Sequence, residues 1–317
     1  MIDDFKLKTP VLLIIYCRLG TTQKVFERIK NAKPLKLYIA ADGPKENAPK
    51  DQIARIFETR EWVLKNIDWE CEVYTNFSEI NLGCKVRPYT AVTWVLEHEE
   101  TVIVLEDDIV VENTFFRYCQ EMLEQYKDCE DVMTVSGYKA EEDFYIEGDY
   151  FFSYFSPIWG WATWKRAWEK YDPDMKKWPL VKKQKLLKKL FGKDAAYCIE
   201  RDFDRAYGGN IDAWDYQWLF ARIANRGLGI VPKYNLITNI GFESELATHT
   251  NGMRMEFHPR PLEFPLEIGN TINRNIEYDK EYERTHYKCH IIKDSIKKIV
   301  PRFLLEKWRV MRSRYLQ

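Results

Sequence analysis

The chain reads as an α/β protein with a central, mostly parallel sheet flanked by helices. Three observations predict this. The apolar runs Val11 to Cys17, Leu37 to Ala41 and Val102 to Leu105 lack polar alternation, as strands covered on both faces do. Segments with helical periodicity separate them, so strand and helix alternate over the first ~135 residues, the mark of βαβ units. Charged residues stand directly after the runs, at Arg18, Asp42 and Glu106-Asp107-Asp108. That is the edge of an open α/β sheet where ligands bind.

The elements follow in order. Arg18-Leu19-Gly20-Thr21-Thr22 opens a helix through Lys30, with Thr21 or Thr22 as its N-cap. The strand Leu37 to Ala41 closes on Asp42-Gly43-Pro44, a turn signature. A helix from about Asp51 to Asn66 leads to a short strand, Glu72 to Asn76. Pro88 to Glu97 reads as the helix that feeds the acidic strand. An amphipathic helix, Thr114 to Lys127, and a strand, Val132 to Ser136, come next. After Gly137 the pattern changes. Phe151 to Trp168 is dense in aromatics, and Lys176 to Lys193 holds eight lysines and no acid. Tyr197 to Arg226 looks helical, and Gly229 to Pro232 suggests a strand leading to Asn239-Ile240-Gly241-Phe242. With no internal repeat or low-complexity linker in view, residues 1–270 are expected to form one domain, and 271–317 a basic, amphipathic helical extension.

Composition narrows the function. The net charge of −1 argues against a nucleic-acid binder. Seven scattered cysteines without a C-x-x-C pair suggest neither a zinc site nor a disulfide framework, and fit reduced thiols in the cytoplasm. The N-terminal Met1-Ile2-Asp3-Asp4 does not resemble a signal peptide, and no apolar run reaches eighteen residues. A soluble or peripheral protein is therefore expected. Residues 288–317 carry nine Lys or Arg against two acids, a net of +7, with an apolar stripe from Ile291 to Leu304. Such a tail suits either an anionic membrane surface or a helix docked on the domain with a solvated basic face.

Glu106, Asp107 and Asp108 would repel one another unless a cation is expected beside them. Oxygen ligands at a strand end suit a hard divalent ion that also holds phosphates. With strand alternation continuing, Glu106 and Asp108 share a face and Asp107 points away. Arg18 suits phosphate oxygens. Asp42 suits a base N–H or a ribose hydroxyl, or simply makes its turn. Lys85 and Arg87 lie before the predicted helix and can bind phosphate at its start, or be solvated bases. In Trp159-Gly160-Trp161-Ala162-Thr163-Trp164, Gly160 lets backbone approach a ligand and Trp161 can stack on a sugar face, whereas Trp164 and Trp168, at helical spacing, are expected to pack. Asp215, between Trp214 and Tyr216, is the best candidate for a base, a helix-start acid being the plainer role. His249 can reach a metal or a diphosphate, or be structural.

Glu106-Asp107-Asp108-Ile109-Val110-Val111-Glu112-Asn113-Thr114-Phe115-Phe116 resembles the signature of the N-acetylglucosaminyltransferase I family, GT-A fold glycosyltransferases with a Rossmann-like sheet. The likeness extends to Pro10 to Ile14 with Arg18, to Asp42-Gly43, to Gly160-Trp161 and to Trp214-Asp215. The chain is also similar to bacterial nucleotide-diphospho-sugar transferases through Asn81-Leu82-Gly83-Cys84, Trp159 to Trp164, Trp214 to Trp218, Asn239 to Phe242 and Thr248-His249-Thr250. The motifs keep their order over roughly residues 8 to 255.

The resemblance implies a metal-dependent inverting transfer of a sugar, expected to be GlcNAc or a related hexose, from a nucleotide donor, expected to be UDP-linked, to a glycan or glycolipid hydroxyl in cell-surface polysaccharide assembly. By the same resemblance Asp108 is the direct ligand of Mn²⁺ (or Mg²⁺), Asp107 holds ribose and Glu106 the sugar hydroxyls. Arg18 contacts the diphosphate, Asp42 the uracil, and Asp215 deprotonates the acceptor. The cysteines that flank the base site of the eukaryotic enzymes have no counterpart around Asp42, and the sugar-contact loop differs, so the donor sugar stays open.

Two other classes compete. A metal-dependent nucleotidyltransferase needs a Gly-rich phosphate loop, and Arg18 to Thr22 holds one Gly. A non-catalytic sugar-binding protein accounts for the Trp cluster but not for the acids beside Arg18 and Asp215.

Overall fold

A computed structural model of the chain describes residues 5–243, 256–267 and 271–287. Its strands are β1 (Val11–Ile15), β2 (Lys36–Ala41), β3 (Glu72–Phe77), β4 (Thr101–Glu106), β5 (Ile109–Val111), β6 (Val132–Ser136), β7 (Tyr150–Ser153), β8 (Trp161–Trp164), β9 (Leu228–Pro232) and β10 (Ile237–Asn239). Eight of them form one sheet in the order β3-β2-β1-β4-β8-β6-β9-β7, while β5 and β10 pair separately. The pairs β2–β3, β1–β2, β1–β4 and β6–β9 are parallel, and β8 and β7 run against their neighbours. The expected α/β architecture, a mostly parallel sheet between helices, is present.

Helices cover the sheet: α1 (Leu19–Ala32), α2 (Lys50–Lys65), α3 (Gly83–Leu96), α4 (Phe115–Gln125), α5 (Lys165–Trp168), α6 (Trp178–Lys183), α7 (Leu186–Leu190), α8 (Lys193–Tyr207), α9 (Asp215–Ala224) and α10 (Ile276–His286). The apolar runs are buried along their whole length, which is why they carry no polar alternation. None of the described helices is long and apolar enough to cross a membrane.

Several boundaries differ from expectation, each for a physical reason. Helix α1 begins directly after Arg18, and the Thr21 and Thr22 hydroxyls donate back to the Arg18 carbonyl at 3.1 and 2.8 Å, so neither is the N-cap. Helix α3 begins at Gly83, five residues before Pro88, because the Asp42 carboxylate at the end of β2 accepts the free N–H groups of Leu82 and Gly83. The stretch expected as one helix from Tyr197 to Arg226 is two, α8 and α9, parted after Gly208-Gly209, where Gly209 takes φ +72°. Trp164 ends β8 and Trp168 ends α5, so both pack as expected but not along one helix.

The described part of the C-terminal segment is fastened to the sheet. Asn275 caps α10 by accepting the Tyr278 N–H at 2.9 Å. Asp279, fully buried, binds Ser153 of β7 and pairs with Arg274 at 2.5 Å. The basic tail from residue 288 lies outside the described residues.

Two features set where ligands can bind. Strand β1 has β2 on one side and β4 on the other, so the connections leave β1 and β4 in opposite directions, and a crevice opens at their carboxyl ends. Gly160 then turns the chain into β8 at φ +61°, and a Cβ there would stand 3.0 Å from Ile237 Cγ2 and 3.3 Å from Ile109 Cγ2. Gly160→Ala is therefore expected to lower the unfolding free energy by about 1–2 kcal/mol from backbone strain alone. A urea midpoint equal to that of the unaltered chain would contradict this.

Candidate functional site

The crevice is a cavity of about 590 Å³. Arg18, which follows β1, and Glu106, Asp107 and Asp108, at the end of β4, all line it. Strand alternation does not continue through the acids. Strand β4 stops at Glu106, and Asp107-Asp108 form the turn into β5, which brings all three carboxylates to the cavity. The Asp108 carbonyl accepts the Ile240 N–H at 2.9 Å, and the β5–β10 pairing braces the turn from outside.

Arg18 neutralises two of the three. Its guanidinium pairs with Asp107, adds an Nε contact to Asp107 Oδ2 at 3.4 Å, and reaches Asp108 Oδ2 at 2.9 Å. Burial opposes the charge on Arg18, but the Asp107 and Asp108 carboxylates outweigh it and hold its pKa above the usual guanidinium range. Among the described residues Glu106 has no such partner. Burial and then the charges of Asp108 and Asp107 push its carboxyl up to about 8, with a smaller push from Asp215. Burial also raises Asp107, against the pull of Arg18.

The opposite wall is built on Asp42, which is 6% exposed. Its carboxylate accepts the N–H groups of Gly43, Leu82 and Gly83 at 3.0, 2.7 and 2.9 Å, which occupies three of about four acceptor positions. Gly43 is obligatory there, since a Cβ would come within 2.6 Å of the Glu79 and Ile80 backbone. Arg60 Nη2 donates to the carbonyls of Asp42 and Ser78, each at 2.9 Å. Arg87 lines the cavity, yet its guanidinium is braced on Asn76, with Nη1 to Asn76 Oδ1 at 3.1 Å. Lys85, on the first turn of α3, is not among the cavity-lining residues.

The aromatic prediction needs correcting. Trp161 is 1% exposed and stacks on Trp214 at 5.5 Å, with Trp168 and Trp218 each 6.0 Å away. Its ring is core and faces no ligand. Gly160 likewise packs on Ile237 and Ile109. Of the rings in this motif, the one that lines the cavity is Trp159, on the other side of the turn.

Asp215 opens α9, half-buried, near enough for its charge to act on Glu106 and Tyr171. It does not line the main cavity. His249 lies outside the described residues.

Sequence reasoning missed Lys45, Gln52, Cys84, Asp212 and Asn239, all of which line the cavity. Cys84 Sγ donates to the Asp212 carbonyl at 3.1 Å, joining the start of α3 to the loop before α9. Lys45 and Asp212 are charged loop residues, and Cys84 and Asn239 stand within motifs of the resemblance without a role assigned to them, whereas Gln52 carries no charge that marks it.

Among the described residues no group of three His, Cys, Asp or Glu converges as a metal cage. The donor chemistry nonetheless fits a hard cation held by one or two carboxylates and completed by phosphate oxygens and water, because Glu106, Asp107, Asp108 and Asn239 all line the cavity and offer oxygen donors.

No family model matches the chain, and no curated protein matches it. Solved structures with some similarity include S. aureus TarS, at 9% identity and TM-score 0.33, covering 52% of this chain and 30% of that one. The mannosyltransferase PcManGT from Pyrobaculum calidifontis, in complex with GDP-Man and Mn²⁺, is 11% identical with TM-score 0.36, covering 70% and 72%. HddC from Yersinia pseudotuberculosis is 10% identical with TM-score 0.32, covering 51% and 80%. At these scores none of the three bears on function, which the residues themselves must decide.

Asp42→Asn would set an amide against backbone donors, and is expected to cost about 1–3 kcal/mol of stability through an unsatisfied buried N–H. Lys85→Ala should leave the urea midpoint unchanged. Equal midpoints for both variants would remove the structural role of Asp42.

Proposed function

We propose that the chain is a glycosyltransferase that moves a hexosyl group from a nucleoside-diphosphate sugar to a hydroxyl of a glycan or lipid-linked glycan. The observation that carries this reading is the convergence of Arg18 with three carboxylates at the switch point between β1 and β4. An acidic turn that already holds a guanidinium suits a second cation and the diphosphate that comes with it. UDP, with GlcNAc or a related hexose, is the donor favoured by the motifs around Glu106 to Phe116.

In this reading Asp108 holds Mn²⁺ or Mg²⁺, with His249 as a second ligand. The ion supplies charge neutralisation on the departing diphosphate. Arg18 turns its guanidinium to the phosphate oxygens, Asp107 takes a ribose hydroxyl, and Glu106 a hydroxyl of the sugar. Asp42 offers its remaining acceptor position to the uracil, with Arg87 holding that wall. Lys85 attracts the diphosphate toward α3, while Gly160 and Trp161 set the turn that aims Trp159 at the donor. Asp215 accepts the proton of the acceptor hydroxyl as its oxygen attacks the anomeric carbon in line. The bond from that carbon to the diphosphate oxygen breaks, the anomeric configuration inverts, and the electron pair leaves with the diphosphate.

The basic tail would bring the enzyme to an anionic membrane face on the cytoplasmic side, where lipid-linked acceptors lie. Full-length chain should pellet with anionic liposomes and a chain ending at residue 287 should not. Equal pelleting removes that placement.

Asp215→Asn is expected to reduce transfer about 10²–10⁴-fold while nucleotide affinity is retained. Asp108→Asn should abolish the rise in melting temperature that Mn²⁺ and UDP produce together. The assay is product release from a panel of nucleotide sugars with Mn²⁺. Free nucleoside diphosphate supports the reading, whereas pyrophosphate release, or transfer undiminished in the Asp215 variant, rejects it.

A further inference from the structure

A second cavity, of about 670 Å³, lies beside the first. That is within the range of small-molecule sites, roughly 300–1,000 Å³. One aromatic block connects the two. Trp159 lines the crevice, Tyr138 lines the second cavity, and their rings are 5.0 Å apart. Phe257 packs against both rings, at 5.9 Å from Tyr138 and 6.1 Å from Trp159.

The wall of this groove is built, not incidental. Lys139, 2% exposed, donates its ammonium to the carbonyls of Glu142 and Phe144 at 3.1 and 2.5 Å, and so shapes the loop that carries Asp143 and Tyr145. Helix α10 supplies the opposite side through Glu281, Arg284 and Thr285. The Tyr145 ring lines the groove at 83% exposure, the most exposed large apolar side chain among the described residues.

Five carboxylates face the groove against a single guanidinium. Three already have work within the protein. Glu142 accepts from Asn235 at 2.9 Å and meets His258 at 3.0 Å, Glu141 holds Thr285 and His286, and Glu281 pairs with Arg284. Asp143 and Glu256 make no hydrogen bond among the described residues. Neither does the Tyr138 hydroxyl, although Tyr138 is only 7% exposed. The Tyr138 ring is buried while its residue borders the cavity, so its hydroxyl is available to water or to a ligand in the groove.

We propose that this groove binds the acceptor glycan, and that the acceptor is uncharged or amino-bearing and not an anionic polymer. The inference rests on the glycosyl-transfer reading and names the substrate class of its acceptor. Sugar hydroxyls donate to carboxylates and accept from a phenol, and the C–H face of a pyranose stacks on an exposed ring. Carboxylates in this excess repel a polyanion and tolerate a neutral or cationic chain. The shared aromatic block places a glycan in the groove next to the crevice where the donor would sit.

The test is calorimetric titration of the full chain with chitotetraose, with the glucosamine tetramer and with tetragalacturonate. The first two are expected to bind and the third not. Tyr145→Ala should weaken binding about tenfold through lost stacking, and Tyr138→Phe about fivefold through one lost hydrogen bond. UDP and Mn²⁺ affinity should stay the same in both variants. Binding of tetragalacturonate as tight as the others, no binding of any tetramer, or unchanged affinity in both variants would overturn the proposal. Failure of the transferase reading shows separately, as no nucleotide binding by the unaltered chain.

Discussion

Three carboxylates on one turn cannot stand at a sheet edge without a positive charge among them. At about 4 Å two like charges repel by roughly 4 kcal/mol in an environment of effective dielectric 20, and there are three. Arg18 meets part of that demand by bridging Asp107 and Asp108. The bridge is a consequence of strand pairing. β1 and β4 are parallel neighbours with Ile14 opposite Glu106, so the residues that follow each strand emerge side by side. Because α1 starts at Leu19, the same guanidinium sits where a helix begins, and the bridge ties that helix to the acidic turn. Among the described residues Glu106 has no comparable partner, and burial, then the charges of Asp108 and Asp107, raise its carboxyl.

The opposite wall repeats the logic with the charges reversed. Asp42, at the end of β2, is the anion, and the unpaired N–H groups at the start of α3 are the partial positive charge. Gly43 permits the close approach, and Arg60 and Arg87 hold the neighbouring carbonyls. The crevice therefore has two rigid lips, each made by a charged residue at a strand end and a helix start. Between them stands Trp159, aimed by the left-handed turn at Gly160, while Trp161 on the far side of that turn goes into the core.

These placements explain what could be read in the sequence. Strands β1, β2 and β4 were legible because strands buried on both faces are unbroken apolar runs, and Val132 to Ser136, also buried throughout, was legible with them. The convergence of Arg18 with the acids followed from the rule that strand ends share an edge. Strands β5, β7, β8 and β10 were not legible, being three or four residues long and defined by antiparallel partners distant in sequence. The start of α3 was hidden because its cap comes from Asp42, some forty positions earlier. No local pattern separates Trp159 from Trp161. Their division depends on the φ of one glycine, which nothing in the composition of the motif reveals. Asp215 was singled out from its flanking rings, and the structure adds that its charge is felt at Glu106.

The two carboxylate clusters differ in their surroundings, and that difference sorts ligands. In the crevice the acids are largely shielded from solvent, so they call for a cation, which Arg18 supplies in part. In the groove Asp143 and Glu256 are exposed, and water screens them at little cost. The crevice sets Arg18, Lys45 and Arg87 against five carboxylates, so a diphosphate enters it together with a cation, whereas the groove sets one guanidinium against five carboxylates. The overall charge of −1 conceals this separation, because it averages a cation-demanding pocket with a cation-tolerant one. In the proposed transfer an anionic donor would enter the crevice with its cation, and a non-anionic acceptor would be favoured in the groove on the other side of Trp159.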